Sequence, residues 1–282
     1  MRLFALLCGL LPAVSLAQTF TAPGQSLSVA ELAHARGVGM GGAFRGLGQS
    51  PEAVMGNPAS LSMVRGYQIE MTGAWDAATR DGFGSVALRD SATSEVAAGI
   101  GYQFLKTGRG ANASYGHLTT LALSLPVVQW LTLGVSGHYL NVSGATTTNA
   151  GTLDAGLALR PLGGLVVGFS VHNIVDTSNP ELLRYYSWQL GWLGQSFALG
   201  LDVRSTLQAD NGAPLLNVGG EYVIGKLIPI RAGYSREFGT QQNFFSAGAG
   251  VTGESVGVDV AYRHEFGGNE SRLLVLTFKI QL

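Results

Sequence analysis

The sequence predicts an all-β fold: a transmembrane antiparallel β-barrel of about fourteen strands, with an N-terminal hatch inside the lumen. Three observations predict it. The chain opens like an exported precursor. From residue 67 onward it alternates apolar with small or polar side chains at period two. Its connections alternate between tight turns and longer polar links. The expected divisions are a signal peptide at 1–17, the hatch at 18–66 and the barrel at 67–282.

The export signal comes first. Met1-Arg2 is a positive start, the run from Leu3 to Leu11 is broken only by Gly9, and Pro12 closes it. Ser15 and Ala17 then place small residues three and one before Gln18. The run is too short to cross a bilayer as a helix. Cys8, the chain's only cysteine, lies inside it, which leaves the mature chain no disulfide, no thiolate ligand and no thiol nucleophile. Charged residues make up 12%, about half the soluble share, and the net charge of −1 gives no reason to expect a nucleic-acid partner. No stretch after the signal approaches the roughly 18 apolar residues of a membrane helix. An exported chain so low in charge is either a soluble β-rich protein or a barrel whose apolar face meets lipid.

The segment 18–66 has a different pattern from the strand-rich region after it. Residues 28–36 pattern as a short amphipathic helix with Ser28 at its start. The glycine-rich run Gly37-Val38-Gly39-Met40-Gly41-Gly42-Ala43-Phe44 comes next, then turns at Ser50-Pro51 and Asn57-Pro58-Ala59. Gly37, Gly39 and Gly42 match a dinucleotide fingerprint, but no strand precedes them and no βαβ unit succeeds them, so that reading is rejected. Close backbone packing in a crowded lumen explains them better.

The strands begin at residue 67. In residues 95–104, Val96, Ala98, Ile100, Tyr102 and Phe104 share one face, opposite Ala97, Gly99, Gly101 and Gln103. At the end of the chain Leu274, Leu276, Phe278 and Ile280 oppose Val275, Thr277, Lys279 and Gln281. Intervening segments repeat this, each near the length a tilted strand needs to cross hydrocarbon; twelve strands is the alternative count. The longer links are expected at 107–116, 143–151, 176–183, 205–214 and 239–243, the tight ones at 90–92, 127–129, 161–163, 194–196, 225–227 and 253–254. That alternation belongs to bacterial outer-membrane barrels, with both barrel termini on the periplasmic side. The face opposite the apolar one is small and polar, so the apolar face requires lipid, with Trp130, Trp188, Trp192, Tyr186, Tyr222 and Tyr262 as candidates for interfacial girdles. A barrel of this count has a backbone radius of roughly 14 Å, too wide for its own side chains to fill.

The ordered pair of segments Ala35-Arg36-Gly37-Val38-Gly39-Met40-Gly41-Gly42-Ala43-Phe44 and Ala53-Val54-Met55-Gly56-Asn57-Pro58-Ala59-Ser60-Leu61 resembles the hatch signature of FadL-type transporters of hydrophobic compounds. It is similar as well to that of the PorV/PorQ-like barrel shuttles of type IX secretion. The resemblance implies a hatch motif at Gly37, Gly39, Met40, Gly41, Gly42, Asn57, Pro58 and Ala59. It implies either passive uptake of hydrophobic compounds such as long-chain fatty acids, or an interaction role with exported proteins. The external links are short for the transporters.

Candidate chemistry is sparse. Val38, Met40, Phe44, Leu47, Val54 and Met55 either line a hydrophobic ligand pocket or pack hatch against barrel. Lumen charges are expected to pair: Asp154 with Arg160, Asp202 with Arg204, Glu221 with Arg231, Asp259 with Lys279 or Arg263, holding the barrel and anchoring the hatch more than selecting solutes. Gly99 and Gly101 either kink the third strand, where the family opens a lateral route, or face a crowded lumen. His34, His117, His138, His172 and His264 have no metal-ligand spacing, and no nucleophile elbow is present, so neither metal, cofactor nor enzymatic activity is expected. Membrane lipid is the one partner every reading shares.

Overall fold

The protein is described by a computed structural model covering residues 34–48, 50–108, 110–145, 147–177, 182–206, 213–267 and 271–282. The expected signal peptide and most of the expected helix at 28–36 lie outside them.

Fourteen strands form one closed antiparallel barrel. They are β1 (Tyr67–Asp76), β2 (Gly82–Asp90), β3 (Ala97–Thr107), β4 (Ser114–Val128), β5 (Leu131–Gly144), β6 (Thr148–Leu162), β7 (Leu165–His172), β8 (Tyr185–Leu193), β9 (Phe197–Thr206), β10 (Leu215–Ile224), β11 (Ile228–Glu237), β12 (Gln242–Thr252), β13 (Val256–Phe266) and β14 (Arg272–Gln281). Each pairs with the next, and β14 returns to β1 in unbroken register from Gln68↔Gln281 to Asp76↔Leu273. Closure removes the edges whose unpaired donors hydrocarbon would not tolerate. Among the described residues no helix is long and apolar enough to cross a membrane; the strands do the crossing.

The alternation holds throughout. Leu121 is 60% exposed and Leu276 55%, whereas Thr120 and Thr277 beside them are fully buried. Trp130, Trp188, Trp192, Tyr222 and Tyr262 all face outward. The links differ from expectation in detail. β3 starts at Ala97, because Asp90 Oδ1 accepts from the backbone N–H groups of Ala92 and Thr93 and holds a turn over 91–96. The link expected at 143–151 shrinks to 145–147, since β5 and β6 run on to be tied by Asn141 Nδ2 donating to Asn149 Oδ1 at 2.5 Å.

One expectation needs correction. The inward face is small and polar toward the short turns, but toward the longer links it carries large apolar side chains: Phe83, Leu105, Leu118, Leu140, Leu215, Phe244 and Leu273. Alternation reports which residues share a face; it does not report that a face changes character along the barrel axis.

Candidate functional site

Residues 34–48 and 50–63 lie in the lumen. They form a short helix α1 (Ala35–Gly39) and two 3₁₀ turns, Pro51–Val54 and Pro58–Met63, joined by tight backbone turns. Helix α1 runs on through Gly37 and Gly39 instead of ending before the glycine run. At Gly37 a Cβ would lie 2.9 Å from the Phe44 ring, so this glycine lets the helix and the turn after it fold onto each other. Pro51 and Pro58 open the 3₁₀ turns where no amide hydrogen is needed. Ser50 Oγ and Asn57 Oδ1 cap them by accepting from the N–H groups of Glu52 and Ala59.

The wall receives the hatch through glycines. Gly191, Gly200, Gly219 and Gly233 are successive register partners across β8, β9, β10 and β11. A Cβ at Gly200 would lie 2.1 Å from Ala43 O, at Gly219 2.1 Å from Met40 O, and at Gly233 2.2 Å from Gly41 N. On the far side Gly134 and Gly156, also register partners, make the same room for Ala59 and Asn57. The hatch main chain therefore lies directly on strand main chain. Gly41 and Gly42 supply the positive φ this path needs (63° and 84°).

Charge fixes the contact. Arg36 reaches from α1 to Glu52 in the hatch and, through Nε at 3.1 Å, to Glu221 of β10. Burial works against its charge, but Glu221 and Glu52 prevail and hold the guanidinium above its ordinary pKa. The chain of alternating charge continues along the wall. Arg231 Nε meets Glu221 at 2.5 Å, Arg231 Nη1 lies 2.9 Å from Asp259, and Lys279 closes on Asp259. Arg45 meets Asp202 at 3.2 Å, and His34 Nδ1 lies 2.5 Å from Glu70.

A second network is entirely hydrogen-bonded. Asp154 Oδ2 accepts from His138 Nε2 and His172 Nδ1, both at 2.7 Å. His138 continues to Thr120, whose hydroxyl donates to Met55 Sδ at 3.1 Å. His172 continues to Ser170 and Gln189, and Gln189 Oε1 accepts from Asn57 Nδ2 at 2.7 Å. The circuit leaves the hatch at Asn57 and rejoins it at Met55.

Several sequence expectations meet their geometry here. Glu221 pairs with Arg231, and Asp259 with Lys279. Asp154 does not pair with Arg160, which sits farther along the same strand and donates to Met63 O at 2.8 Å; the histidines take its place. Asp202 is met from the hatch by Arg45 while Arg204 lies over the Tyr185 ring. His138 and His172, scattered in sequence, converge through the register, although no group among the described residues is arranged to hold a metal. Gly99 and Gly101 face the hatch, where Cβ atoms would lie 2.5 Å from Val54 Cγ2 and 2.9 Å from Met55 Cε, and β3 pairs without a break on both sides. Val38 packs against Ala74, Phe83 and Leu273, Met40 and Leu47 against Ala198, and Val54 against Ala97 and Ala122. Phe44 is buried within the hatch against Gly37 and Gly56. Met55 clusters with Leu118, Leu140 and Leu182 toward the longer links, as Val38 does with Phe83 and Leu273. Sequence reasoning missed Arg36, Arg45 and Glu52 as anchors. A charge inside a glycine-rich motif was the available signal.

No protein-family model matches the sequence, and no curated protein matches it. Solved structures do match. The chain superposes on the Ralstonia pickettii toluene transporter TbuX with a TM-score of 0.67 at 12% identity, over 90% of this chain and 99% of that one. A Pseudomonas aeruginosa FadL homologue gives 0.65 at 13% identity, covering 88% and 98%. The monoaromatic hydrocarbon channel CymD gives 0.63 at 14%, covering 88% and 96%. At such identities the likeness is one of fold, shared with channels of bacterial outer membranes.

Proposed function

We propose that this barrel is a passive route for hydrophobic compounds across the outer membrane, with both barrel termini in the periplasm. The observation that carries this reading is the outer lumen. Phe83, Leu105, Leu118 and Leu140 are inward-facing positions where an aqueous pore would carry polar side chains; Leu118 and Leu140 lead to Met55 of the hatch, Phe83 and Leu105 to Val38. A ligand entering past the longer links contacts Met55 first, and a local shift of residues 54–57 passes it on. Long-chain fatty acids are one class whose acyl chains such a lining suits. Gly37, Gly39, Gly41, Gly42, Asn57, Pro58 and Ala59 serve by seating the hatch, and the lumen charges by holding it there.

The short external links, three residues at 145–147, favour a second reading as a partner-binding barrel for exported proteins. Mass spectrometry of lipophilic molecules extracted from protein purified in mild detergent separates the two. Co-purified hydrophobic compounds are expected. Repeated blanks together with a stably recovered protein partner would overturn the uptake reading.

A further inference from the structure

One polar side chain of the outer lumen is left over by the hatch contacts. Gln103 on β3 is 1% exposed, and among the described residues neither its amide nitrogen nor its amide oxygen has a hydrogen-bond partner. Its cross-strand neighbours are Ser85 and Leu118, and the lumen-facing residues on either side of it along β3 are Gly101 and Leu105. Directly beneath it, Gly101 leaves a notch in the wall that the Met55 methyl fills, 2.9 Å from where a Cβ would stand. Met55, Leu118, Leu140 and Leu182 form one apolar cluster there.

A buried amide without a partner is costly, and it calls for a group that completes it. We propose that this pocket takes a compact, mostly apolar and electrically neutral molecule bearing a single hydrogen-bonding group, of the alcohol, ketone or phenol class. Its polar end pairs with the Gln103 amide, and its apolar body displaces Met55 from the notch over Gly101. Methionine suits that role, being unbranched and able to repack. Neutrality follows from the wall: Ser85, Gly101, Leu105 and Leu118, the lumen-facing residues next to Gln103 in the sheet register, carry no charge to offer an ionised ligand. The inference rests on the uptake reading and sharpens it by separating polar-tipped ligands from both hydrocarbons and carboxylates.

The experiment is equilibrium binding of radiolabelled 1-octanol, n-nonane and octanoate to the full-length protein in nanodiscs, with empty nanodiscs subtracted. Octanol is expected to bind at least about tenfold more tightly than nonane or octanoate. In Gln103→Leu, octanol falls to the level of nonane, while nonane is held at least as well as before. A second readout needs no ligand. Removing an unpartnered buried amide raises the unfolding temperature of the empty Gln103→Leu protein, whereas losing a structural hydrogen bond lowers it. Equal binding of octanol and nonane by the wild type, an octanol preference that survives Gln103→Leu, or a lowered unfolding temperature overturns this proposal and leaves the uptake reading standing. If none of the three probes binds a correctly assembled barrel, the uptake reading itself falls.

Discussion

Asn57 gathers three tasks in one side chain: it caps a 3₁₀ turn, donates to Gln189 and Leu157, and fills the space over Gly156. Asn57→Ala removes a cap and leaves the Gln189 oxygen buried without this donor, a loss of about 1–3 kcal/mol. The barrel still assembles, and uptake falls; hydrogen exchange of residues 50–63 and an uptake assay in whole cells check both, and unchanged uptake counts against the hatch role. Arg36→Met is the harsher change. It takes from Glu52 its guanidinium partner, leaves Glu221 with Arg231 alone, and is expected to destabilise the seated hatch by about 3–5 kcal/mol, seen as protease cleavage within the N-terminal segment of an otherwise folded barrel. Gly219→Val tests backbone contact, because its side chain would overlap Met40 O. A cost of about 1–3 kcal/mol or more is expected, read as a lowered unfolding temperature, with Gly220→Val on the outward face as the milder control. These roles were only partly legible. A glycine announces missing volume but not what fills it, and the pairing of Asp154 with two histidines became visible only once register set β5, β6 and β7 side by side.

At the level of the strand, legibility was high, because period-two alternation is written directly into side-chain order. β4 illustrates it: Leu121 and Leu123 look outward between Thr120, Ala122 and Ser124. Leu123→Arg is expected to destabilise the inserted barrel by about 2–4 kcal/mol at mid-membrane depth, measured by reversible unfolding in lipid vesicles. Strand ends were less legible. Whether 143–151 continues two strands or forms a link turns on cross-strand bonds such as Asn141 to Asn149, which no local pattern encodes. The hatch was the least legible element, since its turns are dictated by the wall they touch and by their own propensity only at Pro51 and Pro58.

For the molecule as a whole, closure was inferred from the need to pair every edge donor in hydrocarbon, and β1 meeting β14 satisfies it. What the sequence did not disclose is where along the cylinder the large inward apolar side chains gather: Phe83, Leu118, Leu140, Phe244 and Leu273 lie toward the longer links, among buried Asp76, Arg204, Arg263 and Glu265, and the hatch reaches them through Val38 and Met55. The intact protein is expected to resist unfolding in cold SDS and to migrate differently before and after boiling, a gel assay in which identical mobility would count against a closed barrel.

Where the barrel closes on itself, α1 is already bound to both sides of the join. Ala35 N donates to Thr277 Oγ1 on β14, His34 bonds Glu70 on β1, and Thr72 joins Thr277 across the two strands. The first strand and the last are thus stapled by residues that precede them both in the chain. A plug fastened to both lips of a seam, its main chain pressed to the opposite wall, contributes bonds to the closing step itself. It is expected to be in place as the tube zips shut, the earliest part of the barrel's chain acting as the mandrel on which the rest is wrapped.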